Sequence, residues 1–227
     1  MYSWNVSTGC CRGRFTKMAD TDFDLQNLAD NLKATKLEDD IIDMERYIAS
    51  YKELCRFFEL LGSVFGFVVS DVKSKMGILT THLNSDLKEE YKTVQKMIEY
   101  EVANNLTSGK VNGQLNGCRT LLRLHRAFEF FIIFMQRTAD AQDDDKLSGL
   151  AGEAYKNTLA KYHAWMIRQA ANLAMYALPT RKNLMSKIKK YDHDKAIEIL
   201  REVIPAAQAV YDITQKLYEE KNILDLP

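Results

Sequence analysis

An excess of charge of either sign is missing from this sequence: 31 Lys+Arg stand against 31 Asp+Glu in 227 residues. Bulk nucleic-acid binders carry a strong basic excess, so nucleic acid is not an expected partner. Long apolar runs are missing too. The longest stretch free of charged residues is 169–180, whereas a membrane-spanning helix needs about 18 or more apolar residues. Cysteine is scarce. Cys10, Cys11, Cys55 and Cys118 form no CxxC pair, which argues against a disulfide framework and a zinc site and makes a reducing, cytosolic setting the default. The four histidines show no metal-ligand spacing, and no P-loop, GxSxG elbow or Ser-His-Asp set is present. No enzyme activity, metal or cofactor is therefore expected. Only ten Gly and three Pro occur, so few positions break regular structure.

What is present is a 46% hydrophobic, 27% charged chain, long enough for one domain with a substantial core. Residues 1–17 carry Arg12, Arg14 and Lys17 and no acid; they read as a disordered extension. Met18 resembles an ordinary start, and residues 18–227 read as a single domain. Its net charge is 28 − 31, or −3.

Apolar residues recur at helical spacing throughout, and alternating strand patterns are few. Helices are expected over about 22–34, along a long segment 42–83, from an N-cap at Ser85-Asp86 to about 104, and over 118–137. Asn112-Gly113 and Asn116-Gly117 mark a flexible loop over about 105–117. Further helices are expected over 146–162, with Asp143–Asp145 capping it, and over 164–178 and 180–190. The last covers 194–222, with a kink at Pro205. The expectation is thus all-α, about eight helices. The helix carrying Phe128–Met135 reads as central, because Glu129 is the only charge there.

Two charged pairs continue apolar stripes. Counting back from Asp71, the same-face positions Val68, Phe67, Val64 and Leu60 are apolar, and Lys75 lies one turn further on. A solvated i,i+4 ion pair accounts for Asp71 and Lys75 as well as a site does. Arg119 and Arg123 top the central helix's stripe through Arg126, Ala127, Phe130 and Phe134. There the free N–H groups of a helix N-terminus favour an anion, and paired guanidiniums suit phosphate. An exposed basic end is the plainer reading of such a pair. Together the two stripes suggest an apolar cavity capped by one acid and three bases, which suits an amphiphile with an anionic head. His163, at a helix junction, is either a structural histidine or a hydrogen-bond partner for a ligand carbonyl. Trp165 belongs to the core or to a membrane interface. Arg181, Lys182, Lys187, Lys189 and Lys190 form a basic stretch, either a solvated face or a partner for an anionic leaflet.

The segments Asp71-Val72-Lys73-Ser74-Lys75, Cys118-Arg119-Thr120-Leu121-Leu122-Arg123, Tyr162-His163-Ala164-Trp165 and Ala177-Leu178-Pro179-Thr180-Arg181 resemble the glycolipid transfer protein superfamily, and within it the branch that carries ceramide-1-phosphate. The likeness runs from about Phe23 to Pro227. It implies a two-layer sandwich of eight helices around one ceramide, and non-vesicular transfer of ceramide-1-phosphate between membranes. It implies that Asp71 bonds the ceramide amide nitrogen and hydroxyl, that His163 bonds the amide carbonyl, and that Lys75, Arg119 and Arg123 hold the phosphate. Glycolipid-specific members resemble this chain but carry Asn at the position of Lys75 and a sugar-stacking Trp at that of Arg123. Tyr51, where the resemblance leads one to expect Trp, and Trp165 are the candidate membrane contacts. Ala164 replaces a frequent Pro. A monomer is implied, working from the cytosol and peripherally on Golgi, plasma and endosomal membranes. The other readings are a lipid sensor or interaction module, a glycolipid carrier, or a helical interaction bundle.

Overall fold

The structure, a computed structural model, describes residues 22–227; the extension expected over 1–17 lies outside them. Ten α-helices occur among the described residues. Helix α1 spans Leu25–Thr35, α2 Met44–Leu61, α3 Gly66–Leu83, α4 Lys88–Tyr91 and α5 Val94–Ala103. Helix α6 spans Gly117–Asp140, α7 Leu147–Asn157, α8 Trp165–Tyr176, α9 Arg181–Lys187 and α10 His193–Glu220. A two-stranded antiparallel hairpin, β1 (Lys110–Val111) and β2 (Gln114–Leu115), joins α5 to α6.

The excess over eight helices has two causes. The long segment 42–83 breaks at Gly62, whose φ of 123° ordinary side chains avoid. A single 3₁₀ turn, Ser63–Phe65, then starts α3. The segment after Ser85 also divides. The Ser85 hydroxyl accepts from Leu87 N at 3.1 Å and closes only a turn, while Thr93 caps α5 by accepting from Lys96 N at 3.2 Å. The expected flexible loop is a tight hairpin, with Asn112 and Gly113 both at positive φ. Asp143–Asp145 does not cap α7: Asp143 instead pairs with Arg181 and His193, and Asp145 accepts from Gln142 N. Pro205 lies inside α10 without ending it.

Helix α6 is central, packing against α3, α5, α7 and α10. Leu121, Phe128, Phe131 and Phe134 are nearly inaccessible to solvent. Phe131 meets Phe57 of α2 edge-on at 6.2 Å, and Phe128 meets Tyr51 at 5.7 Å. Truncating one such ring to Ala costs about 3–5 kcal/mol.

The N-terminus of α6 is sealed from within. Glu101 is fully buried, and its carboxylate accepts from Gly117 N, from Cys118 N at 2.8 Å and from the Tyr91 hydroxyl. Asn116 Oδ1 accepts from Arg119 N at 2.8 Å. The backbone N–H groups expected to attract an external anion are therefore already occupied. Any anion at this end must be held by side chains.

Candidate functional site

A cavity of about 530 Å³ opens between α3, α6, α7 and α8. Its walls are largely apolar: Phe58, Phe65 and Val68 on one side, Phe130 and Phe131 from α6, and Ile167, Ala171 and Met175 from α8. Asp71, Lys75, Arg123, Arg126, Tyr155 and His163 supply its polar border. The stripe of α3 thus does run from Phe67 and Val68 into Asp71 and Lys75, along one cavity wall. Leu60 and Val64 belong to the preceding helix and turn, across the Gly62 break.

Asp71 and Lys75 are hydrogen-bonded to each other. The Lys75 side chain is 14% exposed and that of Asp71 65%. Arg123 is half-buried, and burial pulls its guanidinium below the ordinary arginine range, helped by the cations Arg119 and Arg126 and opposed by Asp71. Burial likewise pulls His163 down, while Asp71 pushes it up and Lys75 down. Asp71, Lys75, Arg123 and His163 all border the same cavity. Of the charged side chains that line the cavity, Lys75, Arg123 and Arg126 are cationic and Asp71 is anionic, so cationic side chains outnumber anionic ones at the mouth. The geometry brings together four of the five expected head-group residues.

Arg119 stands apart from the cavity lining. Its Nε donates to the main-chain oxygen of Pro227 at 2.7 Å. The end of the chain folds over this rim: Arg126 Nη2 donates to Leu224 O at 2.7 Å and Leu226 O at 3.1 Å, and its guanidinium lies 4.1 Å over the Tyr162 ring. Pro227 itself borders the cavity. Sequence reasoning noted Arg126 only as part of a stripe and gave no role to Tyr155. The contacts of Arg126 with the end of the chain span about a hundred residues, and that of Tyr155 joins a helix to the loop after it; neither follows helical spacing.

The expectation for Tyr51 is corrected. Tyr51 is 3% exposed, lines the cavity from inside, and donates its hydroxyl to Leu124 O at 2.7 Å. It sits on the core-facing side of α2 and cannot meet a membrane. Trp165 is 66% exposed, with Met166, Leu173 and Tyr176 also bare on α8. The opposite face of that helix, through Ile167, Ala171, Ala174 and Met175, borders the cavity.

The family model described as "Glycolipid transfer protein (GLTP)" matches residues 42–190. The chain belongs to the glycolipid transfer protein family. Its fold is that family's two-layer helical sandwich, and the family consists of lipid carriers rather than enzymes. Among relatives of this glycolipid transfer protein family member, the ceramide-1-phosphate transfer protein of Rattus norvegicus is 39% identical over 210 residues, 91% of this chain and 97% of that protein. The crystal structure of the mouse ceramide-1-phosphate transfer protein in its apo form superposes with a TM-score of 0.85 at 39% identity, covering 91% of this chain and 100% of that one. The human ceramide-1-phosphate transfer protein in complex with 12:0 ceramide-1-phosphate gives 0.84 at 34% identity, covering 90% and 100%.

Proposed function

We propose that this protein carries ceramide-1-phosphate between membranes. The observation that carries the reading is one apolar cavity of about 530 Å³ whose lining sets the side chains of Lys75, Arg123 and Arg126 against the carboxylate side chain of Asp71. Kinship with ceramide-1-phosphate transfer proteins over nine-tenths of the chain supports it.

The physical logic is one of matched environments. Leaving a hydrocarbon chain in water costs about 0.8 kcal/mol per CH₂, so a carrier must offer a lining as dry as the bilayer. The phenylalanines, Ile167 and Met175 offer it, with Met175 adaptable in shape. A phosphomonoester carries about −1.5 to −2 charges near neutral pH. Lys75 and Arg123 meet it at the rim, and Arg119 joins them by exchanging the main-chain oxygen of Pro227 for a phosphate oxygen. A neutral sugar would leave these cations desolvated without compensation. Asp71 accepts from the amide N–H and hydroxyl of the ceramide, and His163 donates to the amide carbonyl. No bond is made or broken.

The bare apolar face of α8, led by Trp165, docks on a membrane surface and brings the cavity, which the opposite face of the same helix borders, close to the bilayer for cargo exchange. In this reading the protein is a monomer, cytosolic and transiently peripheral on Golgi, plasma and endosomal membranes. Vesicle transfer assays test it. Labelled ceramide-1-phosphate should move and glucosylceramide should not; preference for the sugar lipid would overturn the head-group assignment.

A further inference from the structure

His163 has two ring nitrogens, and the structure accounts for one of them. Its Nδ1 lies 2.8 Å from the hydroxyl of Tyr155 on α7. Tyr155 is 5% exposed, its ring stands edge-on to Phe130 at 6.4 Å, and its centroid lies 5.7 Å from that of His163. Among the described residues the hydroxyl makes no other hydrogen bond. Resting on the cargo reading above, we propose that Tyr155 is a positioning residue: it fixes His163 as the Nε2–H tautomer and so makes this edge of the cavity read an acyl carbonyl.

The argument follows from counting donors and acceptors. Burial pushes the Tyr155 hydroxyl up, so it keeps its proton, and pulls His163 down, so the imidazole is neutral. A neutral imidazole has one N–H and one lone pair. Were the proton on Nδ1, it would donate to the phenolic oxygen, and the hydroxyl proton would have no acceptor among the described residues. That loss is avoided when the hydroxyl donates to Nδ1. The ring proton then resides on Nε2, the nitrogen that Tyr155 leaves free, on a residue that borders the cavity.

An N–H at this place has chemical consequences. It bonds an amide carbonyl and repels an ammonium group. Asp71 alone would accept either an amide N–H or an ammonium, so it cannot distinguish an N-acylated sphingoid phosphate from the free base. Tyr155, acting through His163, supplies that distinction. The neighbouring ring of Phe130 holds the Tyr155 side chain against rotation, and a Tyr155→Phe substitution removes the hydroxyl while keeping this packing.

The test has two independent arms. ¹⁵N chemical shifts of histidine-labelled, ligand-free protein, with His163 assigned through His163→Gln, report which nitrogen is protonated near neutral pH. The expected result is a protonated Nε2 in the wild type and a shift toward the other tautomer in Tyr155→Phe. In the second arm, binding of short-chain ceramide-1-phosphate should weaken about three- to tenfold in Tyr155→Phe, while binding of sphingosine-1-phosphate should not weaken. A wild-type His163 protonated on Nδ1 overturns the proposal without any variant. Equal weakening for both lipids also overturns it, by making Tyr155 merely structural. If the wild type takes up neither lipid, the cargo reading fails, and the ¹⁵N shifts still decide whether Tyr155 holds the tautomer.

Discussion

The seam between α6 and α10 should make this protein acid-sensitive through a single side chain, His125. The ring is 2% exposed and stacks on Tyr211 at 4.2 Å and on Tyr218 at 6.1 Å. Its Nε2 meets Gln215 Oε1 at 2.8 Å, whereas its Nδ1 is buried without a hydrogen-bond partner. A proton on Nδ1 would have no acceptor. Burial pulls His125 down to about 4, and the Arg126 cation adds to the effect. The unfolded chain takes up this proton below about pH 6.5 and the folded chain does not until about pH 4. Stability is therefore unaffected above pH 6.5 and falls by about 1.4 kcal/mol per unit below it, reaching a loss of about 3 kcal/mol at pH 4. Urea unfolding followed by far-ultraviolet circular dichroism, which reports the helices, at pH 7.5, 6.5 and 5 measures this. Between pH 6.5 and 5 the wild type should lose about 2 kcal/mol more than His125→Gln, which carries no titrating group there. Parallel pH profiles for the two proteins would refute the reasoning, whatever their absolute stabilities.

Three further outcomes follow from the same geometry. Arg123→Leu should weaken binding of ceramide-1-phosphate roughly 10- to 100-fold by titration calorimetry, without lowering Tm, because Arg123 sits among the like charges Arg119 and Arg126; unchanged affinity would remove it from the site. Glu101→Gln should lower urea-unfolding stability by about 2–4 kcal/mol, since a buried carboxylate serving two N–H groups of α6 is lost; an unaltered midpoint contradicts the sealed-terminus reading. Trp165→Ala combined with Tyr176→Ala should cut sedimentation with vesicles about tenfold or more, while uptake of short-chain lipid in solution stays the same; full vesicle binding would place the docking face elsewhere.

The parts of the site that were legible in the sequence are those governed by helical spacing. Asp71 sits one turn and Lys75 two turns beyond Phe67 and Val68, and Arg123 one turn before Ala127, so each set shares a face and each face proved to border the cavity. The same counting failed at Gly62, where a backbone conformation available to glycine ended a helix inside an unbroken apolar run. It also failed at Ser85, because a serine can close a turn as readily as a helix. Tyr51 was misjudged because it was carried over from the resemblance, by position, and not from a count of which face of α2 it occupies. The hold of Arg119 and Arg126 on the end of the chain, and of Tyr155 on His163, depends on three-dimensional approach between separate elements. The occupancy of the α6 N-terminus by Glu101 was hidden for the same reason, and it removes the backbone part of the expected anion binding and leaves the side chains.

The central claim is that an apolar cavity with a cationic mouth selects a phosphorylated ceramide. Mass spectrometry of lipid extracted from the protein, after exposure to vesicles holding equal amounts of ceramide-1-phosphate and glucosylceramide, tests it most directly. The account predicts ceramide-1-phosphate as the dominant bound lipid, at about one molecule per chain. Glucosylceramide in equal or greater amount would contradict it.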